Sequence, residues 1–358
     1  MHKKILEKAV IGVALLTMLA FTGCGAKQSA SPQAAEQDTS PQAAEEKKTE
    51  AAAPQPAEKA PAKEPIKVRY GYQPGHAQIV VAREQGFLKE EFEKDGVTFE
   101  FEKFVSGPPI IEAFAGNRLD VGQVGDQPAI QARANNIDIK AIGVYGIGTK
   151  ALGLVAAEGS GINSIKDLKG KKVGFVVGSV SHQLLYIYLK SEGLKPDEVK
   201  QVNLTPADIV TAITAKNIDA AVVWEPFISS IEANKAGKFV KDAEGYKENV
   251  NVIIAGNAFA KKNPEVVSRL LKVLDKAEKW IKENPDKALE IISKDSGFKP
   301  EVLKPSFDKT ILDLRLTEAA VKSITETAAF LRENNVIRTD VDARDLIDDS
   351  YLKAAGLQ

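Results

Sequence analysis

The chain has 358 residues, 48 Lys and Arg against 49 Asp and Glu, a formal net charge of −1 and a single cysteine. Mixed charge of this kind excludes a nucleic-acid face, which needs a clustered basic stripe, and one cysteine excludes an internal disulfide. The folded part must therefore rest on its apolar core, and its length suits two lobes.

The first predicted element is a secretory signal over residues 1–23. Lys3, Lys4 and Lys8 make a basic start, and residues 9–21 form an apolar run. That run is shorter than the ~20 residues a membrane-spanning helix needs. It ends in Phe21-Thr22-Gly23-Cys24-Gly25, which is similar to a bacterial lipobox with Phe21 where Leu is usual, so Cys24 is the expected lipidation site. From Gly25 to Pro65 there is no Val, Ile, Leu, Met or aromatic residue. Such a segment buries too little apolar surface to offset its ordering entropy. Residues 24–65 are thus expected to be a disordered tether spanning about 35 Å. The expected location is outside the cytoplasm, on a membrane surface through the lipid, whether on a Gram-positive cell or in a Gram-negative periplasm.

From Ile66 onward, β-rich runs alternate with helical patterns. Strands are predicted at 66–72, 97–104, 119–124, 139–145, 152–156, 172–177 and 220–223, with helices at 78–93 (interrupted near Gly86), 108–115 and 183–192. Alternation of this kind predicts βαβ units and a mostly parallel sheet. After Lys262 the pattern turns helical, with Val266, Leu270, Leu274, Ala277 and Ile281 on one face, and Val321, Ile324, Ala328 and Leu331 on another. A weak repeat aligns Ser106–Asp120 with Thr205–Asp219 without gaps, and each copy leads into an apolar strand. Each strand then ends at a carboxylate near a proline, Asp126 or Glu225. The repeat predicts two similar lobes with a ligand cleft between them.

The chemistry is expected at the strand-to-helix junctions. Ser106-Gly107, Gly125-Asp126-Gln127 and Gly178-Ser179 each stand before a helix, where free backbone N–H groups and the positive dipole end suit a small oxyanion. In a parallel sheet these junctions share the carboxyl edge of the strands. Any one of them reads equally well as an ordinary cap; their recurrence in both halves is the functional signal. His182 reads as a hydrogen-bonding or packed residue before it reads as a metal ligand, and His76 carries the same reading. Trp224 is either core or an aromatic wall against an alkyl group. Asp126 and Glu225 either cap helices or meet an ammonium on the ligand, and Arg315 either lies on the surface or counters an anion. No spacing fits a zinc site, a nucleophile elbow, a phosphate loop or a dinucleotide fingerprint. No catalytic residue, metal or cofactor is expected.

Several motifs together carry a resemblance. They are Gly71-Tyr72-Gln73-Pro74, Ser106-Gly107-Pro108, Gly125-Asp126-Gln127-Pro128, Gly178-Ser179-Val180-Ser181-His182, Val223-Trp224-Glu225-Pro226 and the run Ile165–Val173. The folded part resembles the substrate-binding proteins of ABC importers for aliphatic sulfonates, taurine and nitrate, with the pairing of Gly-Asp and Trp-acid-Pro nearest to the aliphatic-sulfonate binders. The resemblance implies an α/β, type II periplasmic-binding fold. Lobe one would comprise residues 66–150 and 253–358, and lobe two residues 151–252. Crossings are expected near 148–153 and 250–256, with the C-terminal helices mainly on lobe one. Implied as ligand contacts are Tyr72, Gln73, Ser106, Gly107, Gly125, Asp126, Gln127, Gly178, Ser179, His182, Trp224, Glu225 and Arg315. The implied partners are a sulfonate-type anion and a membrane permease with its cytoplasmic ATPase, served by a monomeric receptor. Nitrate or a heterocyclic vitamin or pyrimidine precursor is the alternative ligand. A sensor or a pyrimidine-synthesising enzyme is the alternative of another class.

Overall fold

The structure is a computed structural model that describes residues 65–357. The expected signal, Cys24 and the tether as far as residue 64 lie outside the described residues. Ten strands follow in chain order: β1 (Ile66–Tyr72), β2 (Val97–Lys103), β3 (Val121–Gly125), β4 (Ile139–Ile147), β5 (Leu152–Ala157), β6 (Lys172–Phe175), β7 (Lys200–Asn203), β8 (Ala220–Trp224), β9 (Gly237–Asp242) and β10 (Val250–Gly256). They form two five-stranded sheets, ordered β2-β1-β3-β10-β4 and β7-β6-β8-β5-β9. The two orders are the same pattern. In each sheet the fourth strand, β10 or β5, runs antiparallel to both neighbours and the other four point one way. The expectation of a mostly parallel sheet is thus met in four strands of five. The exception is the strand that arrives from the other lobe, and the crossing itself reverses its direction.

The sequence repeat marks this equivalence residue by residue. Asp120 accepts from the backbone N–H of Arg69 at 2.9 Å, and Asp219 accepts from that of Lys172 at 2.7 Å, so each aspartate pins the second strand in the order of its sheet, β1 or β6. Asn117 and Lys216 occupy the same left-handed turn, with φ of 53° and 58°. A Cβ on Gly71 would come within 2.6 Å of Leu119 Cδ1, and one on Gly174 within 2.7 Å of Ile218 Cδ1. At both places the strand is glycine because the repeated Leu or Ile fills the space.

The first crossing lies where expected, a short turn at Thr149–Ala151 between β4 and β5. The second does not. The expected crossing, Val250–Gly256, is itself strand β10, paired on both edges inside the first sheet, and the chain crosses at 243–249. An apolar strand with both edges paired is a core element, which an apolar run alone does not distinguish from a crossing.

The helical tail packs as its spacing predicts over Pro264–Glu283, whose Val266, Leu270, Leu274, Ala277 and Ile281 are buried. This helix covers the Ala77–Glu84 helix of lobe one, and cutting one such leucine to alanine costs about 2–5 kcal/mol. Pro285–Ser296 and Glu318–Glu333 also pack on lobe one. The Pro300–Lys309 helix departs from the expectation. Gly297, at φ 79°, ends the preceding helix and turns the chain toward lobe two. There Pro300–Lys309 packs on the Phe227–Ala233 helix, and Phe298 meets Phe227 edge-to-face at 5.3 Å. No helix among the described residues is long and apolar enough to cross a membrane.

Candidate functional site

The carboxyl ends of both sheets border one cleft of about 400 Å³. Its polar wall comes from the loop after β1 (Gln73, His76), from Gln78 in the first turn of the Ala77–Glu84 helix, from Tyr145 on β4, and from Ser179, Asn249 and Asn251. Its apolar wall is Trp224, Val180, Ile281, Phe307, Ile311 and Leu312. Ile311 reaches the cleft because 311 and 147 pair as an extra antiparallel bridge, with N–H to O distances of 2.8 and 2.9 Å. It is 67% exposed, a large apolar side chain held at the cleft lip.

Helix starts face this space. Gly107 opens Gly107–Ala115, Gly125 precedes Asp126–Ala134, and Val180 opens Val180–Ser191. The first N–H groups of a helix have no acceptor within it, so these junctions offer donors to an anion. Ser179 caps the last of them by accepting from the Ser181 N–H at 3.2 Å, and it donates to the Val176 carbonyl at 2.8 Å.

Of the residues expected at the site, Gln73, Gly107, Gly125, Ser179, Trp224 and Glu225 line the cleft. The others lie elsewhere, each for a visible reason. The Tyr72 hydroxyl donates to Asp295 at 2.9 Å and accepts from Arg83, in a cluster behind the sheet. Burial works against the charge of Asp295, but the bonds from Arg83, Tyr72 and Lys103 outweigh it and hold the carboxylate below its usual range. Ser106 is buried beside the cleft without a capping bond, and Gln127 is fully buried with both amide atoms unpaired. Gly178 gives its carbonyl to Gln131 of lobe one at 3.1 Å, a contact between the lobes. His182 packs between Phe175 and Tyr186, and burial lowers its pKa. Arg315 is exposed and doubly bonded to its neighbour Asp313.

Asp126 and Glu225, the carboxylates that close the equivalent strands, are both neutralised by lysines. Asp126 is fully buried and accepts from Lys247 at 2.7 Å and from Thr327 at 2.7 Å. Lys247 lies on the second crossing, and Thr327 also accepts from Gln183 of lobe two. Asp126 therefore anchors the crossing, and it does not line the cleft. Glu225 accepts from Lys309 at 2.6 Å and from the Ser229 N–H at 3.0 Å. Lys282, also on the wall, is bound to Glu278 at 2.6 Å, and Asp308 is bound to Lys304. Among the described lining residues every Lys, Asp and Glu has an opposite partner, so the cleft offers neutral donors and apolar surface.

Tyr145, Asn249, Asn251 and the 306–312 segment were not expected. Nothing in their local sequence marks them; the topology brings them there.

The family description "NMT1/THI5 like" matches residues 73–288. A putative aliphatic sulfonates-binding protein of Bacillus subtilis is 32% identical over 81% of this chain and 88% of its own length. The taurine-binding periplasmic protein of Escherichia coli is 29% identical over 76% and 88%. The crystal structure of the periplasmic aliphatic sulphonate binding protein SsuA from Escherichia coli superposes with a TM-score of 0.71 at 28% identity, covering 80% of this chain and 92% of that one. The chain thus belongs to the NMT1/THI5-like family and is homologous to the aliphatic-sulfonate- and taurine-binding proteins of ABC transporters, whose two-lobed α/β, type II periplasmic-binding fold it shares.

Proposed function

We propose that this protein is an extracytoplasmic receptor that captures a sulfonate-type anion between its lobes and delivers it to an ABC permease, without catalysis. The observation that carries the reading is the cleft itself, a set of neutral hydrogen-bond donors at helix starts facing an apolar wall. Helix-start N–H donors stabilise a sulfonate head without a counter-charge, and Trp224, Ile281 and Ile311 offer apolar surface to the organic tail. Gln73, Gly107, Gly125 and Ser179 are the proposed contacts to the head.

Glu225 favours an alkanesulfonate over taurine. An ammonium on the ligand needs a free carboxylate, and this one already holds Lys309 and the Ser229 N–H. Calorimetric titration is expected to give tighter binding for butanesulfonate than for taurine, nitrate or sulfate. No heat with any sulfonate would sink the reading.

Residues 1–23 are proposed as the cleaved signal, Cys24 as the lipid anchor, and the tether to residue 65 as the spacer that keeps the domain near its permease. Cys24→Ala is expected to release the protein from the membrane fraction while ligand affinity stays unchanged. Retention of the variant in that fraction would contradict the anchor.

A further inference from the structure

The loop after β1 and the wall strand β4 hold a three-membered hydrogen-bond chain. The Gln73 backbone N–H donates to His76 Nδ1 at 3.1 Å, and His76 Nε2 lies 2.8 Å from Tyr145 Oη. The two rings pack with centroids 4.5 Å apart. Gln78 steadies the same spot, donating its amide to the Tyr145 carbonyl at 2.6 Å. His76 is 7% exposed, whereas Tyr145 lies on the cleft wall and keeps some exposure.

The chain of bonds has one consistent proton arrangement. A backbone N–H only donates, so Nδ1 must be the bare nitrogen. A neutral imidazole then carries its proton on Nε2 and donates to Tyr145 Oη. Burial supports the neutral form, lowering the His76 pKa to about 3. With its oxygen accepting from His76, the tyrosine hydroxyl has its own proton left to give. Burial also raises the Tyr145 pKa, so that proton stays on the oxygen. Among the described residues no side chain or carbonyl receives it. A half-buried donor without an acceptor is costly, and the place it faces is the cleft.

We infer that Tyr145 donates a hydrogen bond to the anionic head of the ligand, and that His76 is the positioning residue that fixes the tyrosine as a donor. The pair makes the site selective for a head that only accepts. The ligand identity rests on the sulfonate reading above; the proton arrangement does not.

Two measurements on the full folded domain test this. In calorimetry with butanesulfonate, Tyr145→Phe should bind about ten- to hundredfold more weakly, the loss of one bond to a charged acceptor, in a variant that stays folded at the assay temperature although its thermal midpoint falls because His76 Nε2–H loses its acceptor. Nitrogen-15 NMR of the imidazole in the ligand-free protein should show His76 as the Nε2–H tautomer. Wild-type binding left intact in Tyr145→Phe overturns the contact while sparing the function. An Nδ1–H tautomer or an imidazolium overturns the His76 role whatever the ligand is. Failure of the wild type to bind any sulfonate overturns the function and the contact together.

Discussion

His76 couples the cleft to acidity. Its folded pKa lies near 3, far under the ordinary 6.5, because burial disfavours the charged ring. The unfolded chain therefore binds the proton more readily, so the stability is complete above pH 6.5 and drains away as the pH falls toward 3. Between pH 6.5 and 4.5 this one group removes about 2 kcal/mol. His182, lowered by burial as well, adds to the loss in the same direction. Urea unfolding at the two pH values is expected to show this decline, and His76→Phe to abolish its own share. An equal decline in the variant would assign the acid sensitivity to other groups. In sequence His76 reads only as a hydrogen-bonding or packed residue, because nothing near it in the chain shows that the fold places Tyr145, 69 residues away, against its ring.

At the scale of elements, the second crossing is held by a buried ion pair. Lys247 and Asp126 are 3% and 0% exposed, with Thr327 bonding to both. Removing one member of such a pair strands the other charge in the interior, at about 3–5 kcal/mol. Asp126→Asn should lower the urea midpoint accordingly, and adding Lys247→Met should recover most of the loss. Equal destabilisation by the single and double variants would show that the charge balance is not what matters. The sequence context of Asp126, a carboxylate between glycine and a proline-bearing helix start, suits either a cap or a ligand contact, and only the resemblance implies the contact. The element was legible there, and the partner 121 residues away was not. The same limit applies to β10, whose apolar run is plain in sequence while its insertion between β3 and β4 is set only by topology. The repeat fared differently. Its aspartates, left-handed turns and space-filling Leu119 and Ile218 are local, so two similar lobes could be read from the chain alone.

Across the whole molecule, a strap of C-terminal chain joins the lobes in addition to the two crossings. Pro300–Lys309 packs on lobe two, and residue 311 bonds back to β4 of lobe one. Lys309 fastens the strap to Glu225 at 2.6 Å. Glu225→Gln should free it, so that small-angle scattering of the ligand-free protein records a larger radius of gyration and sulfonate affinity falls as closure becomes rarer. An unchanged scattering curve would show that the two crossings alone set the spread of the lobes. The strand order has a consequence in time as well as in space. The second sheet is complete once residue 242 exists, but the first keeps a gap between β3 and β4 until residue 256 arrives. The lobe that begins first along the chain is therefore the one that can finish last, and its unpaired strand edges must wait through the making of the other.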